Sequence, residues 1–106
     1  MELFKIGKMT AFDGRNFAVF SVLGRKVAVI RLKDGSYHAV ESSCKHQGAD
    51  LFGNQKGDLK SQIITCPRHG WQYDLISGEC VSNNSVPLKI FKVEIREDEI
   101  WIGHPD

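Results

Sequence analysis

Cys44-Lys45-His46-Gln47-Gly48-Ala49-Asp50-Leu51 and Cys66-Pro67-Arg68-His69-Gly70-Trp71-Gln72-Tyr73-Asp74 mirror each other, and residues 47–65 lie between the first imidazole and the second thiol. Each stretch opens on one thiol and one imidazole: Cys44 with His46, then Cys66 with His69. Two Cys and two His suit tetrahedral Zn²⁺, and they also suit a two-iron, two-sulfide cluster in which imidazoles replace two of the four thiolates. Zinc modules usually pair Cys with Cys and His with His. The mixed pairs here instead divide naturally between two irons, both thiolates on one and both imidazoles on the other. Two ferric ions, two sulfides and two thiolates sum to zero charge with neutral imidazoles, whereas four thiolates would leave the oxidised cluster doubly negative. A His-ligated cluster therefore accepts an electron more readily. A third reading is coincidence, with buried Cys and surface His that share no site.

The remainder of the chain reads as a β framework. At 106 residues, 42% of them apolar, it is long enough for one compact domain with a real core. Alternation predicts a first strand over residues 2–6 and a turn at Asp13-Gly14. Residues 17–23 and 26–32 are apolar, β-branched runs joined at Gly24-Arg25, and Lys33-Asp34-Gly35-Ser36 turns the chain into a strand over 37–41. A short strand over 62–65 leads into Cys66. Residues 88–96 and 99–102 form a last pair about Glu97-Asp98. No long segment shows helical periodicity, so the expected class is all-β, an antiparallel sandwich or barrel. Residues 42–82 form an inserted metal-binding subdomain within one domain spanning 1–106.

Composition narrows the function. A net charge of +1 argues against a general nucleic-acid binder. No stretch approaches the eighteen apolar residues of a membrane span, and no apolar h-region follows the N-terminal residues, so a cytoplasmic protein without membrane contact is expected. Three Cys fit no closed disulfide framework. With two as ligands, Cys80 is left as a small apolar residue near a turn. His38 and His104 belong to neither motif and read as packing or surface residues.

The two stretches resemble the ligand loops of Rieske proteins, C-x-H-x-G-A-x-L and C-P-x-H-G-W-x-Y-D, and the likeness extends loosely over nearly the whole chain, which is similar to small Rieske-type ferredoxins. The resemblance implies a Rieske-like antiparallel β fold and one [2Fe–2S] cluster held by Cys44, His46, Cys66 and His69. It implies that Gly70 lets the backbone approach the cluster, where N–H groups tune the potential. Pro67 would hold Cys66 extended. Respiratory relatives carry a disulfide between the loops; Ala49 and Arg68 stand at its positions here. Trp71 stands where those relatives carry a Ser that donates to a sulfide, while Tyr73 matches a Tyr that reaches a ligand sulfur. Tyr73 also reads as an aromatic packed under the loop. A potential in the low part of the Rieske range, about −150 to +300 mV, is expected. His46 and His69 would face solvent or a partner, and the potential would fall once pH exceeds the oxidised-state imidazole pKa. Lys45 and Arg68 beside them form either a cationic collar for an acidic partner or two solvated charges.

Such a cluster moves one electron and does no bond chemistry itself. The resemblance implies a one-electron carrier, not an enzyme, that passes electrons from an NAD(P)H-dependent flavoprotein reductase to a terminal oxygenase. The alternatives are the small Rieske subunit of an assimilatory nitrite reductase and, in a different class, a zinc-stabilised interaction module without redox activity.

Overall fold

The computed structural model describes residues 3–22, 24–42, 51–52, 59, 61–66, 70–82 and 87–103. Among them the chain forms β1 (Leu3–Lys8), a 3₁₀ turn (Met9–Phe12), β2 (Phe17–Val22), β3 (Arg25–Arg31), β4 (Tyr37–Glu41), β5 (Ile63–Thr65), β6 (Gln72–Asp74), β7 (Ile90–Phe91), β8 (Val93–Arg96) and β9 (Glu99–Gly103). The strands make three antiparallel sheets, ordered β1-β9-β8, β2-β3-β4-β7 and β5-β6. The all-β expectation is met. Among the described residues no helix is long and apolar enough to cross a membrane.

The four-stranded sheet is the middle layer. Val27, Ala28, Val29 and Ile30 of β3 are all at most 1% exposed, although successive strand residues point to opposite faces. The alternation sorts them between two cores. Phe17, Ala28, Ile30 and Val40 face Leu51, Phe52, Ile64, Cys66, Tyr73, Leu75 and Leu88. Ala18, Val27, Val29, Ala39 and Phe91 face Phe12, Ile100 and Ile102. The middle sheet therefore carries the motif-bearing segment on one face and the β1-β9-β8 sheet on the other. Each fully buried Val or Ile stabilises the fold by about 1.5–3 kcal/mol relative to exposure.

Turn chemistry sets the register. The β2–β3 hairpin pairs Val22 with Arg25, so Arg25 is a strand residue and not part of the junction expected at Gly24-Arg25. Glu97 and Asp98, at φ 47° and 76°, make the two-residue link between β8 and β9, with the positive φ at both central positions that matches strand twist. The run expected as one strand over 88–96 is broken: β7 pairs with β4, β8 pairs with β9, and Lys92 lies between. One chain segment thereby crosses from the middle sheet to the outer one. The strand β6 and the 3₁₀ turn carry no clear periodic signal and were not expected from sequence.

Gly78 is a position where only glycine fits. Its φ is +80°, and an added Cβ would collide with the main-chain oxygen of Leu88, whose own N–H donates to the Gly78 carbonyl at 2.7 Å. Gly35 also has positive φ, at +87°, but open space around its Cβ position. Gly35→Ala is expected to cost about 1 kcal/mol from backbone strain alone. Gly78→Ala is expected to cost at least about 2 kcal/mol, because backbone must also move. Thermal unfolding of the two variants checks this ordering; equal losses would contradict it.

Candidate metal centre

The second motif lies on the β5–β6 hairpin. Ile63 pairs with Asp74, Ile64 with Tyr73 and Thr65 with Gln72. Alternation turns Ile64 and Tyr73 inward, at 4% and 0% exposure, and carries Cys66 inward after them, at 1%. Cys66 then closes the hairpin: its N–H donates to the Trp71 carbonyl at 2.7 Å, and the Gly70 N–H donates to the Cys66 carbonyl at 3.0 Å. Gly70 adopts φ +73°, a conformation costly for residues with a Cβ. Trp71 packs, half-buried, against the same core as Cys66.

The hairpin is supported on its outer side as well. Asp74 N–H donates to the Glu79 carbonyl at 2.9 Å and Val81 N–H to the Gln72 carbonyl at 2.8 Å, which places Cys80 opposite Tyr73. Cys80 is thus a half-buried residue beside β6, packed against the first core and not disulfide-bonded. Asp74 ends the hairpin. Its Oδ1 accepts the N–H groups of Ile76 at 2.8 Å and Ser77 at 3.1 Å, and its Oδ2 accepts Gln62 Nε2 at 2.9 Å. Burial pushes the Asp74 carboxyl up, but these donors outweigh it and hold its pKa below the ordinary 3.8. Sequence reasoning quoted Asp74 within the motif and gave it no role; a carboxylate followed by Ser77 and Gly78 is the available signal for this turn.

The first motif is anchored at its ends. Ser42, fully buried at the end of β4, donates its N–H to the Lys26 carbonyl at 2.9 Å. Its carbonyl accepts the N–H of Leu51 at 2.7 Å, so the chain on either side of residues 43–50 is tied together. The Phe52 ring lies 5.4 Å from that of Phe17, which fixes this end to β2. Both motifs therefore spring from one core, shared by Leu51, Phe52, Ile64, Cys66 and Tyr73. Cys44, Lys45, His46, Ala49, Pro67, Arg68 and His69 lie outside the described residues, as does His104. Among the described residues no three His, Cys, Asp or Glu side chains converge. His38 lies on β4 with its Nε2 3.0 Å from Ser36 Oγ, away from both motifs in the chain.

The Rieske [2Fe-2S] domain family matches residues 2–92. The chain belongs to this family. Ferredoxin CarAc of Metapseudomonas resinovorans is 35% identical over 78 residues, 73% of this chain and 69% of that protein. The cholesterol 7-desaturase of Hemicentrotus pulcherrimus is 39% identical over 61 residues, 58% of this chain; the present chain spans 13% of that longer protein. Among solved structures, a chain of the complex of reduced oxygenase and oxidised ferredoxin in carbazole 1,9a-dioxygenase superposes with a TM-score of 0.72 at 30% identity, covering 94% of this chain and 91% of that one. Membership decides the cofactor between iron and zinc: the Rieske domain carries a [2Fe–2S] cluster. Of the candidate ligands the structure describes Cys66, a buried, unbridged thiol at the end of a doubly supported hairpin, whose chemistry fits such a cluster.

The Asp74 turn yields a signed pH dependence. A carboxyl with a lowered folded pKa contributes stability that is present above its unfolded pKa and is lost as pH falls through the folded value. Asp74→Asn keeps an acceptor for Ile76 and Ser77 but does not titrate. The stability advantage of the parent protein over this variant is expected to shrink from pH 5 to pH 3. Urea unfolding at several pH values checks it; parallel curves would show that Asp74 contributes nothing through its charge.

Proposed function

We propose that the chain is a one-electron carrier whose [2Fe–2S] cluster is held by Cys44, His46, Cys66 and His69, within one domain spanning 1–106. When bound, the cluster supplies reversible one-electron transfer. The chain's own residues supply the mounting. Cys66 offers a thiolate from a dry, fixed position. Gly70 brings backbone close to the tip, and Trp71 and Tyr73 exclude water beneath it.

One observation carries the reading: a ferredoxin is matched over most of both chains, whereas the desaturase is matched over a small fraction of its length. The partners on this reading are a terminal oxygenase as electron acceptor and an NAD(P)H-dependent flavoprotein reductase as donor, with no nucleic acid and no membrane, in the cytoplasm. The oxygenase has direct support in kind, because the similar solved chain comes from an oxygenase–ferredoxin complex. Lys45 and Arg68 flank the proposed imidazole ligands and give an acidic partner a point of approach. Beside β6, Val81 is 53% exposed opposite Gln72 and offers apolar contact area.

The test begins with the purified protein. Two irons and two sulfides per chain, a brown colour that bleaches on reduction, and a one-electron couple in the low part of the range of about −150 to +300 mV are expected. Cys66→Ser is expected to abolish the bound iron. The reduced protein is expected to be reoxidised rapidly on mixing with a Rieske-type terminal oxygenase in stopped flow. A clearly positive potential would contradict the reading of Ala49, Arg68 and Trp71. Stable co-purification with a large siroheme subunit would reassign the chain to a nitrite reductase. Tyr73→Phe separates the two readings of that residue: a donor to sulfur favours the more negative, reduced cluster, so its removal is expected to lower the midpoint potential. An unchanged potential would leave Tyr73 as a packing residue.

A further inference from the structure

We infer that Asn16 is a positioning residue for the metal-bearing face, acting as a one-residue strand that ties Leu59 to the middle sheet. Asn16 lies just before β2, and its carbonyl accepts the Arg31 N–H at 2.8 Å, which locks its backbone to β3. Its side chain then engages both polar groups of Leu59. Nδ2 donates to the Leu59 carbonyl at 2.8 Å, and Oδ1 accepts the Leu59 N–H at 2.8 Å. The two residues are 43 apart in sequence, and the contact is partly buried. One amide plane thus does what a paired strand would do, with a donor and an acceptor spaced like those of a peptide. Asparagine is suited to this, because it is short and carries both groups.

The tie acts at a point that matters for the proposed cluster. Leu59 falls between the two motifs, and its side chain packs against the core that holds Cys66, Tyr73 and Trp71. The chain beyond it is held at successive steps up to Cys66. Ser61 Oγ accepts the Ile63 N–H at 3.1 Å, and Gln62 accepts the Leu75 N–H at 2.7 Å, before β5 begins. Asn16 and Leu59 also form part of the wall of a groove of about 440 Å³, with Arg31, Leu32, Gln62 and Ile76. Release of Leu59 would open this groove towards the core under the cluster. The part of the inference that concerns the cluster rests on the ligand assignment proposed above; the tie itself does not.

The experiment compares the iron-loaded parent with Asn16→Ala, Asn16→Asp and Ile100→Val. Asn16→Asp is nearly isosteric but has no donor at neutral pH, and its carboxylate faces the Leu59 carbonyl. Ile100 is fully buried in the opposite core, so Ile100→Val lowers stability on the other face of the sheet. The readouts are iron release to a chelator, followed by bleaching, and amide hydrogen exchange. In the parent, the Leu59 amide is expected to be protected like the amides of β3 and not like an exposed loop. Asn16→Ala is expected to exchange the Leu59 amide and release iron about tenfold faster, the effect of losing two partly buried hydrogen bonds. Asn16→Asp, whose carboxylate still accepts the Leu59 N–H, is expected to fall between Asn16→Ala and the parent. Ile100→Val is expected to speed exchange of the β3 amides and of Leu59 alike, with iron release as in the parent, so a selective effect at Leu59 separates the tie from lost global stability. Exchange and release in Asn16→Ala equal to those of the parent would overturn the inference, because the side-chain tie would then hold nothing. So would an unprotected Leu59 amide in the parent, which needs no variant to detect. A parent protein free of iron would overturn the ligand assignment instead, while the exchange data would still decide the tie.

Discussion

Burial of the middle sheet on both faces is the constraint on which the rest of the structure depends. A strand buried on one side alternates apolar and polar residues. β3 cannot, because Val27 and Val29 fill one core while Ala28 and Ile30 fill the other. Its partners follow: Phe17 and Ala18 of β2 split between the two cores, and so do Ala39 and Val40 of β4. Two layers are therefore obligatory, one on each face. The β1-β9-β8 sheet supplies one. The residues around the two motifs supply the other, so the motif-bearing segment completes a core that the framework cannot close alone.

This arrangement suits a redox site. An electron carrier works best when its ligands move little between oxidation states, which requires side chains whose positions are set by packing and second-layer hydrogen bonds. Cys66, as a proposed ligand, meets the requirement by position. It ends a strand whose inward residues, Ile64 and Tyr73, are packed against the middle sheet, and it is tied across the tip to Trp71 and Gly70. β6 is bonded on both edges, to β5 and to residues 79–81, so the hairpin has no free edge on that side from which to fray. Support on both edges also explains the turn at Asp74. The chain must reverse within a few residues to lay Cys80 beside Tyr73, and the Asp74 carboxylate and the glycine at 78 together permit that reversal.

The sequence made the chemistry more legible than the architecture. Mixed Cys–His pairs with glycine, proline and aromatic residues at fixed offsets carry their meaning locally, and so do Asp13-Gly14 and Lys33–Ser36, where turn residues act within a few positions. The short strand expected to lead into Cys66 is present as β5, while the burial of Cys66 and the hairpin it closes were not read from the sequence; Cys44, His46 and His69 fall outside the described residues. Features set by distant partners were not legible. Lys92 interrupts an unbroken β-forming run because β7 and β8 serve different sheets, which depends on β4 and β9 and not on the residues themselves. β6 has only three residues, too few to show a period. Asn16 is an ordinary turn residue until Leu59 is placed beside it.

The two cores also separate stability from function. The outer sheet carries its own surface contacts, Lys5 with Glu99 at 3.1 Å and Arg96 with Glu94 at 2.9 Å, and Arg96 lies 5.1 Å from the Trp101 ring. Such exposed ion pairs contribute little, because solvent screens them. Their loss would be felt in the second core, on the opposite face of the middle sheet from both motifs. The first core behaves differently, because Phe17, Ile64 and Tyr73 pack together with Cys66 in it. A cavity made among them removes contacts from the surroundings of Cys66, the proposed ligand, and close-packed interiors transmit such losses to their neighbours. Substitutions of equal cost in the two cores are therefore not equivalent. One lowers the stability of the scaffold; the other also loosens the frame in which the thiolate is held.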